Sequence, residues 1–163
     1  MSRQVFFSFE FKKDAWRASQ IRNMGKVDKS STFSDNEWEE VKSKDDKTIE
    51  KWIDNQMRMS SCIVVLIGET TYSRKWVKYE IEHAYELGKG LLGIYVHGLE
   101  NSNGEQCSKG KNPFDYVKAN DGEKLSKYVT CYDPPYLRSK NVYADIEGKI
   151  EDLIEEAINN KDY

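Results

Sequence analysis

Trp76-Val77-Lys78-Tyr79-Glu80 holds a carboxylate whose position asks for a reason. The segment from Arg74 to Lys89 reads as a helix, at roughly 100° per residue. Val77, Ile81, Ala84 and Gly88 then fall at about 80–140° and form the core stripe. Lys75, Lys78, Glu82, Glu86 and Lys89 fall near roughly 200–280° and form the wet face. Glu80 lies near about 40°, beside Trp76 and Leu87, on the margin of the apolar stripe and away from its charged neighbours. A carboxylate there is paired, capping or in a cleft. The bland alternative is a boundary glutamate bonded to a neighbouring loop.

Other chemistries find little support. Cys62, Cys107 and Cys131 are odd in number and lack metal-ligand spacing, which fits a reduced, cytoplasmic compartment. A thiol nucleophile would need one of only two histidines to activate it. His83 lies one turn from Glu80 and His97 ends a strand; histidines so placed are more often structural than catalytic. No G-x-S-x-G elbow, G-x-G-x-x-G or G-x-x-x-x-G-K-[ST] loop occurs. No metal site is expected. Net charge is −3, from 25 basic and 28 acidic residues interspersed, which leaves no footprint for nucleic acid. No run approaches a membrane span, and no secretory signal opens the chain.

The elements that must position Glu80 alternate between strand and helix. At 163 residues the chain is expected to be one domain. Gln4–Phe9 is the first strand, and Lys13–Met24 a helix ending at Gly25. Thr32–Phe33 is a short strand. Asp46–Met59 places Ile49, Trp52, Ile53 and Met57 at helical spacing. Cys62–Gly68 is a buried strand, apolar and β-branched. The Glu80 helix follows, with Ser73 as its expected N-cap. Leu91–His97 is another buried strand. Gly98–Asp121 reads as a surface insertion with a short helix at Phe114–Lys118. Tyr128–Tyr132 is a fifth strand, stopped by Pro134-Pro135. A C-terminal helix, about 141–160, carries Val142, Ile146, Ile150, Leu153, Ile154 and Ala157 on one face.

Strands joined by crossover helices imply a parallel sheet with helices on both faces. In such sheets a ligand sits beyond the carboxyl ends of the strands, where strand order reverses. For the order 2-1-3-4-5 that place lies between the first and third strands. The third strand delivers the Glu80 helix, so helical position and topology point to one crevice. Phe9-Glu10-Phe11-Lys12-Lys13 is unlike the phosphate loop of a flavodoxin. Ile67-Gly68-Glu69 supplies no phosphoacceptor aspartate for a receiver domain.

Val5-Phe6-Phe7-Ser8-Phe9, CIVVLIG and Trp76-Val77-x-x-Glu80 together resemble a TIR domain. FFSFEFKKDAWRASQIRNMG, VVLIGETTYSRKWVKYEI and LGKGLLGIYVH are similar, more narrowly, to the TIR-like ThsB proteins of bacterial Thoeris anti-phage defence. The similarity covers about residues 3–135. It implies a flavodoxin-like (TIR-type) three-layer sandwich with NAD as substrate, not recycled cofactor. It also implies cleavage of the nicotinamide–ribose bond, with Glu80 at the position of the family's catalytic glutamate. For ThsB-like members it implies a cyclic ADP-ribose isomer, released as an infection signal to an effector protein. If the free protein is idle, a phage-derived activator or assembly into a homo-oligomer must complete the pocket. No R-D-x-x-P-G loop follows the second strand, where Phe33-Ser34-Asp35-Asn36-Glu37-Trp38 stands, and no F-W box lies near the last helix. Both departures weaken a reading as a TIR adaptor, an interaction module without turnover.

The implied chemistry needs little machinery. Nicotinamide leaves NAD as a neutral molecule, so no general acid is required, unlike a glycosidase with two carboxylates. One ionised carboxylate can stabilise the oxocarbenium charge that develops on the ribose. Phe9, Phe11, Trp38 and Trp76 are candidates to stack on adenine or nicotinamide, against the alternative of core packing. Ser8 is a candidate for ribose or phosphate; Lys12 and Lys13 are candidates for the pyrophosphate. Asp35 and Asn36 are further loop candidates. The sequence leaves a plain NAD hydrolase, giving linear ADP-ribose, open beside cyclisation.

Overall fold

The computed structural model describes residues 3–33 and 44–161. Five strands form one parallel sheet: β1 (Val5–Ser8), β2 (Thr32–Phe33), β3 (Cys62–Ile67), β4 (Gly90–Tyr95) and β5 (Thr130–Tyr132). Their order is β2-β1-β3-β4-β5, the order for which the sequence reading places the crevice between the first and third strands. Among the described residues four α-helices cover it: α1 (Phe11–Asn23), α2 (Asp46–Met57), α3 (Lys75–Glu86) and α4 (Ser139–Asn159).

The two faces separate by residue parity, since successive side chains of a strand point to opposite sides. Val5, Phe7, Cys62, Val64, Leu66, Leu92 and Ile94 face α1 and α4. Phe6, Ile63, Val65, Ile67, Leu91 and Tyr95 face α2 and α3. Every residue of β1, β3 and β4 is buried, which is why these strands read as continuous apolar runs. On α4, Val142, Ile146, Ile150 and Ile154 recur every fourth residue and are all buried. Each such side chain contributes about 1.5–3 kcal/mol relative to exposure.

The helices that follow β1 and β3 lie on opposite faces, so the chain diverges at the carboxyl ends of these neighbouring strands. Ser8 stands opposite Val65, and β3 runs two residues further to Ile67. The crevice between β1 and β3 therefore has a short wall and a long one.

Several local expectations change. Gly88 is not part of the core stripe of α3. It follows the helix with φ +70, where the amides of Gly88 and Lys89 bond back to the carbonyls of Tyr85 and Ala84. This closing turn favours a residue without a Cβ. Leu87 caps the helix and stays half exposed. Ser73 does not cap α3: it lies in a short 3-10 turn, Thr71–Ser73, and Arg74 takes the N-cap position. The stretch 98–121 is only partly superficial, because Leu99, Phe114, Val117 and Ala119 are buried in the two cores. Its short helix is a 3-10 turn, Pro113–Tyr116. Among the described residues no helix is long and apolar enough to cross a membrane.

Candidate active site

Parity sends Ser8 to the α3 side of the sheet, because Phe7 before it packs on the α1 side. There its hydroxyl donates to Glu80 Oε1 at 2.5 Å. Ser8 is fully buried and Glu80 is 2% exposed. Val77, Ile81 and Ala84 fix the rotation of α3 against the sheet and so turn Glu80 toward the β1 end. A carboxylate so nearly dry acts on a nearby charge with less screening than at the surface.

A second carboxylate lies beside it. Glu10, 8% exposed, accepts from the Thr70 hydroxyl at 2.5 Å. Its other oxygen stands 3.8 Å from Arg74 Nε. Thr70 and Arg74 belong to the loop between β3 and α3. Each side of the crevice thus supplies one hydroxyl and one carboxylate to the other: Ser8 with Glu80, Thr70 with Glu10. Glu10 is absent from the residues singled out in the sequence. Its signal was the alternation Phe7-Ser8-Phe9-Glu10, which puts Ser8 and Glu10 on one side.

The other candidates take different places. Phe9 is 4% exposed and packs in the core under α1, where it fills space rather than offering a ring to a base. Phe11 opens α1 and packs half-buried against the same core. Trp76 is half-buried against the α2–α3 core, edge-on to Tyr79 at 5.6 Å, with Lys75 Nζ 4.8 Å from its ring centre. Lys12 and Lys13 are exposed in the first turn of α1. They line, with Trp16, Glu69 and Gln106, a cleft of about 590 Å³ that lies between α1 and the segment after β4 and does not include Glu80. Asp35, Asn36 and Trp38 lie outside the described residues.

A buried ion pair braces the crevice from the α1 side. Asp14 Oδ1 accepts from Arg17 Nη1 at 2.8 Å, and both side chains are almost fully buried. Arg17 also donates to the carbonyls of Leu99 and Glu105, at 2.7 and 2.9 Å, tying the loop after β4 to α1. Burial, opposed by Arg17, raises the Asp14 carboxyl above its ordinary value. Asp14 rests on Gly68 at the end of β3, where a Cβ would come 2.2 Å from Asp14 Oδ2.

The histidines serve elsewhere. His83 Nε2 is 3.0 Å from Asp54 Oδ1, which also accepts from the Tyr79 hydroxyl, so α3 is tied to α2. Burial lowers the His97 imidazole below its ordinary value. Burial pushes the Cys131 thiol up to about 12 and raises Cys62 and Cys107 as well, away from the thiolate that a nucleophile needs.

A family model described as "Thoeris protein ThsB, TIR-like domain" matches residues 6–101, more than half of the chain and all of the crevice described above. The chain belongs to the ThsB TIR-like family. A relative from Bacillus cereus (strain MSX-D12), named "Putative cyclic ADP-D-ribose synthase ThsB1", is 34% identical over 136 residues, which cover 78% of this chain and 71% of the relative. In this ThsB-family chain the matched region spans β1 to β4 and so holds Ser8, Glu10, Thr70, Arg74 and Glu80. Residues beyond the match supply β5 and α4, which complete the sheet and one of its two cores.

Proposed function

We propose that this ThsB-family chain cleaves NAD at the nicotinamide–ribose bond, with Glu80 as the catalytic carboxylate, and releases a cyclic ADP-ribose isomer that signals to an effector protein. One observation carries the reading: a carboxylate 2% exposed, at the strand-order reversal, oriented by a buried serine from the opposite wall.

The bond between ribose C1′ and the pyridinium nitrogen breaks, and its electron pair leaves with nicotinamide. The leaving group becomes neutral, and positive charge passes to C1′ and the ring oxygen. Glu80, ionised, stabilises that charge; Ser8 fixes one of its oxygens and leaves the carboxylate little freedom to turn away. An acceptor atom of the same molecule then bonds to C1′ and its proton is released to solvent, provided water is kept from the crevice. The buried strands and the Ser8–Glu80 contact supply such a dry floor. A water molecule reaching C1′ first would give linear ADP-ribose.

The test is product analysis. Purified protein is incubated with NAD, alone and in phage-infected cell lysate, and nucleotides are resolved by chromatography and mass spectrometry. A product at the mass of cyclic ADP-ribose is expected. Linear ADP-ribose alone would make the chain a hydrolase, and no NAD loss in either setting would remove the enzymatic reading.

A further inference from the structure

The start of α3 runs against its own electrostatics. A helix N-terminus carries partial positive charge and favours acidic residues and side-chain caps. Here the N-cap is Arg74, the next residue is Lys75, no acidic residue lies in the first turn and no side chain caps it. Lys75 is answered by Asp46 at 2.5 Å. Arg74 is answered only by Glu10, through Nε at 3.8 Å, and its side chain is 56% exposed. Among the described residues no other hydrogen bond or ion pair engages its guanidinium.

The platform under Arg74 is stiff. The Gly68 amide donates to Thr71 Oγ1 at 2.8 Å. The amides of Ser73 and Arg74 bond to the carbonyls of Thr70 and Thr71, at 3.1 Å each. Glu10 is anchored separately by Thr70. Arg74 therefore stands on a fixed loop beside a fixed carboxylate, with the open helix end behind it. A buried carboxylate at a dinucleotide site repels phosphate, so its place there needs a purpose. Orienting a cation is one, since the planar guanidinium presents five donors and only one faces Glu10.

We propose that Arg74, held by Glu10 and backed by the first amides of α3, takes the pyrophosphate of the dinucleotide. Glu10 is then a positioning residue and Arg74 a substrate-binding one, while Glu80 serves the reacting ribose. The inference rests on the function proposed above. Its geometry is consistent: Glu80 is six residues beyond Arg74, about 9 Å along the helix axis. A ribose and its 5′-pyrophosphate bridge such a span. The bound anion also offsets the misplaced positive charge at the helix start.

The test uses two ligands with the same reacting ribose: NAD, and nicotinamide riboside, which lacks the pyrophosphate. Binding is measured by calorimetry in a Glu80→Gln parent, which does not consume them. Arg74→Gln is expected to weaken NAD about tenfold or more and to leave nicotinamide riboside within about twofold. Arg74→Lys should recover part of the loss. Glu10→Gln should weaken NAD in the parent but not further in the Arg74→Gln background, because it acts through Arg74. The thermal midpoint of Arg74→Gln should move little, since the helix start loses a misplaced cation while Glu10 loses a loose partner and keeps the Thr70 hydroxyl. Unchanged NAD affinity, or equal loss of both ligands with a lowered midpoint, would overturn the assignment and leave the proposed function standing. A wild-type protein that neither binds nor consumes NAD would overturn both.

Discussion

Gly68→Ala tests the brace behind the crevice. An alanine Cβ would stand 2.2 Å from Asp14 Oδ2 and 2.8 Å from Asp14 Cγ. Ordinary contact begins more than an ångström further out, so Asp14 must move. It is short, and Arg17 holds its other oxygen at 2.8 Å while itself bonded to Leu99 and Glu105. Overpacking costs about 1–3 kcal/mol, and loss of the charge-assisted hydrogen bond adds roughly 1.5–3 kcal/mol. The sum, about 2.5–6 kcal/mol, corresponds to a fall of roughly 5–24 °C in thermal midpoint for a domain of this size. Calorimetry at pH 7 reads it directly. Because the clash and the ion pair share Asp14, Gly68→Ala and Asp14→Ala should be strongly non-additive in a double-mutant cycle. A Gly68→Ala midpoint within about 2 °C of wild type, or simple additivity, would refute the argument that Asp14 is pinned.

Further outcomes follow from the same contacts. Ser8→Ala removes the hydroxyl that orients Glu80 and should lower NAD turnover about tenfold to a hundredfold, from roughly 1.5–3 kcal/mol of charge-assisted hydrogen bonding, with an unchanged circular dichroism spectrum. His97 should titrate below 6.5 by NMR, because burial disfavours its charged form. The unfolded chain then binds the proton more readily, so stability falls as pH drops from about 6.5 through the native value, and His97→Gln should flatten that slope. Asp45 caps α2 by accepting from the Thr48 amide at 2.8 Å, and bonds to Thr48 hold its carboxyl below 3.8. Its contribution is therefore full above that value and lost as pH falls through the lower native one. Asp45→Ala should lower the thermal midpoint at pH 7, and the gap to wild type should close in acid.

The fold was legible because strands buried on both faces leave uninterrupted apolar runs, such as Cys62–Ile67. Their alternation with amphipathic stretches implied a parallel sheet, and the flavodoxin-like arrangement came with the family resemblance. Glu80 was legible by the same route: its distance from the charged face of α3 and the topology agree. Glu10 was harder, since a single charge after a short strand looks like a loop residue until Thr70 and Arg74 are placed around it. Asp14 and Arg17, three apart on a helix, carry no sequence sign of burial: Arg17 is engaged by the carbonyls of Leu99 and Glu105, which return from a distant loop, and Asp14 rests on Gly68. Leu99, Phe114, Val117 and Ala119 follow no regular period, so their burial left no pattern to detect.

The most direct measurement of the central claim compares wild type with Glu80→Gln for release of nicotinamide from NAD. The substitution keeps the volume and the acceptor for Ser8 but removes the charge. A normally folded variant is expected, with turnover lowered about a hundredfold to a thousandfold or more. A folded Glu80→Gln protein that releases nicotinamide at the wild-type rate would contradict that claim.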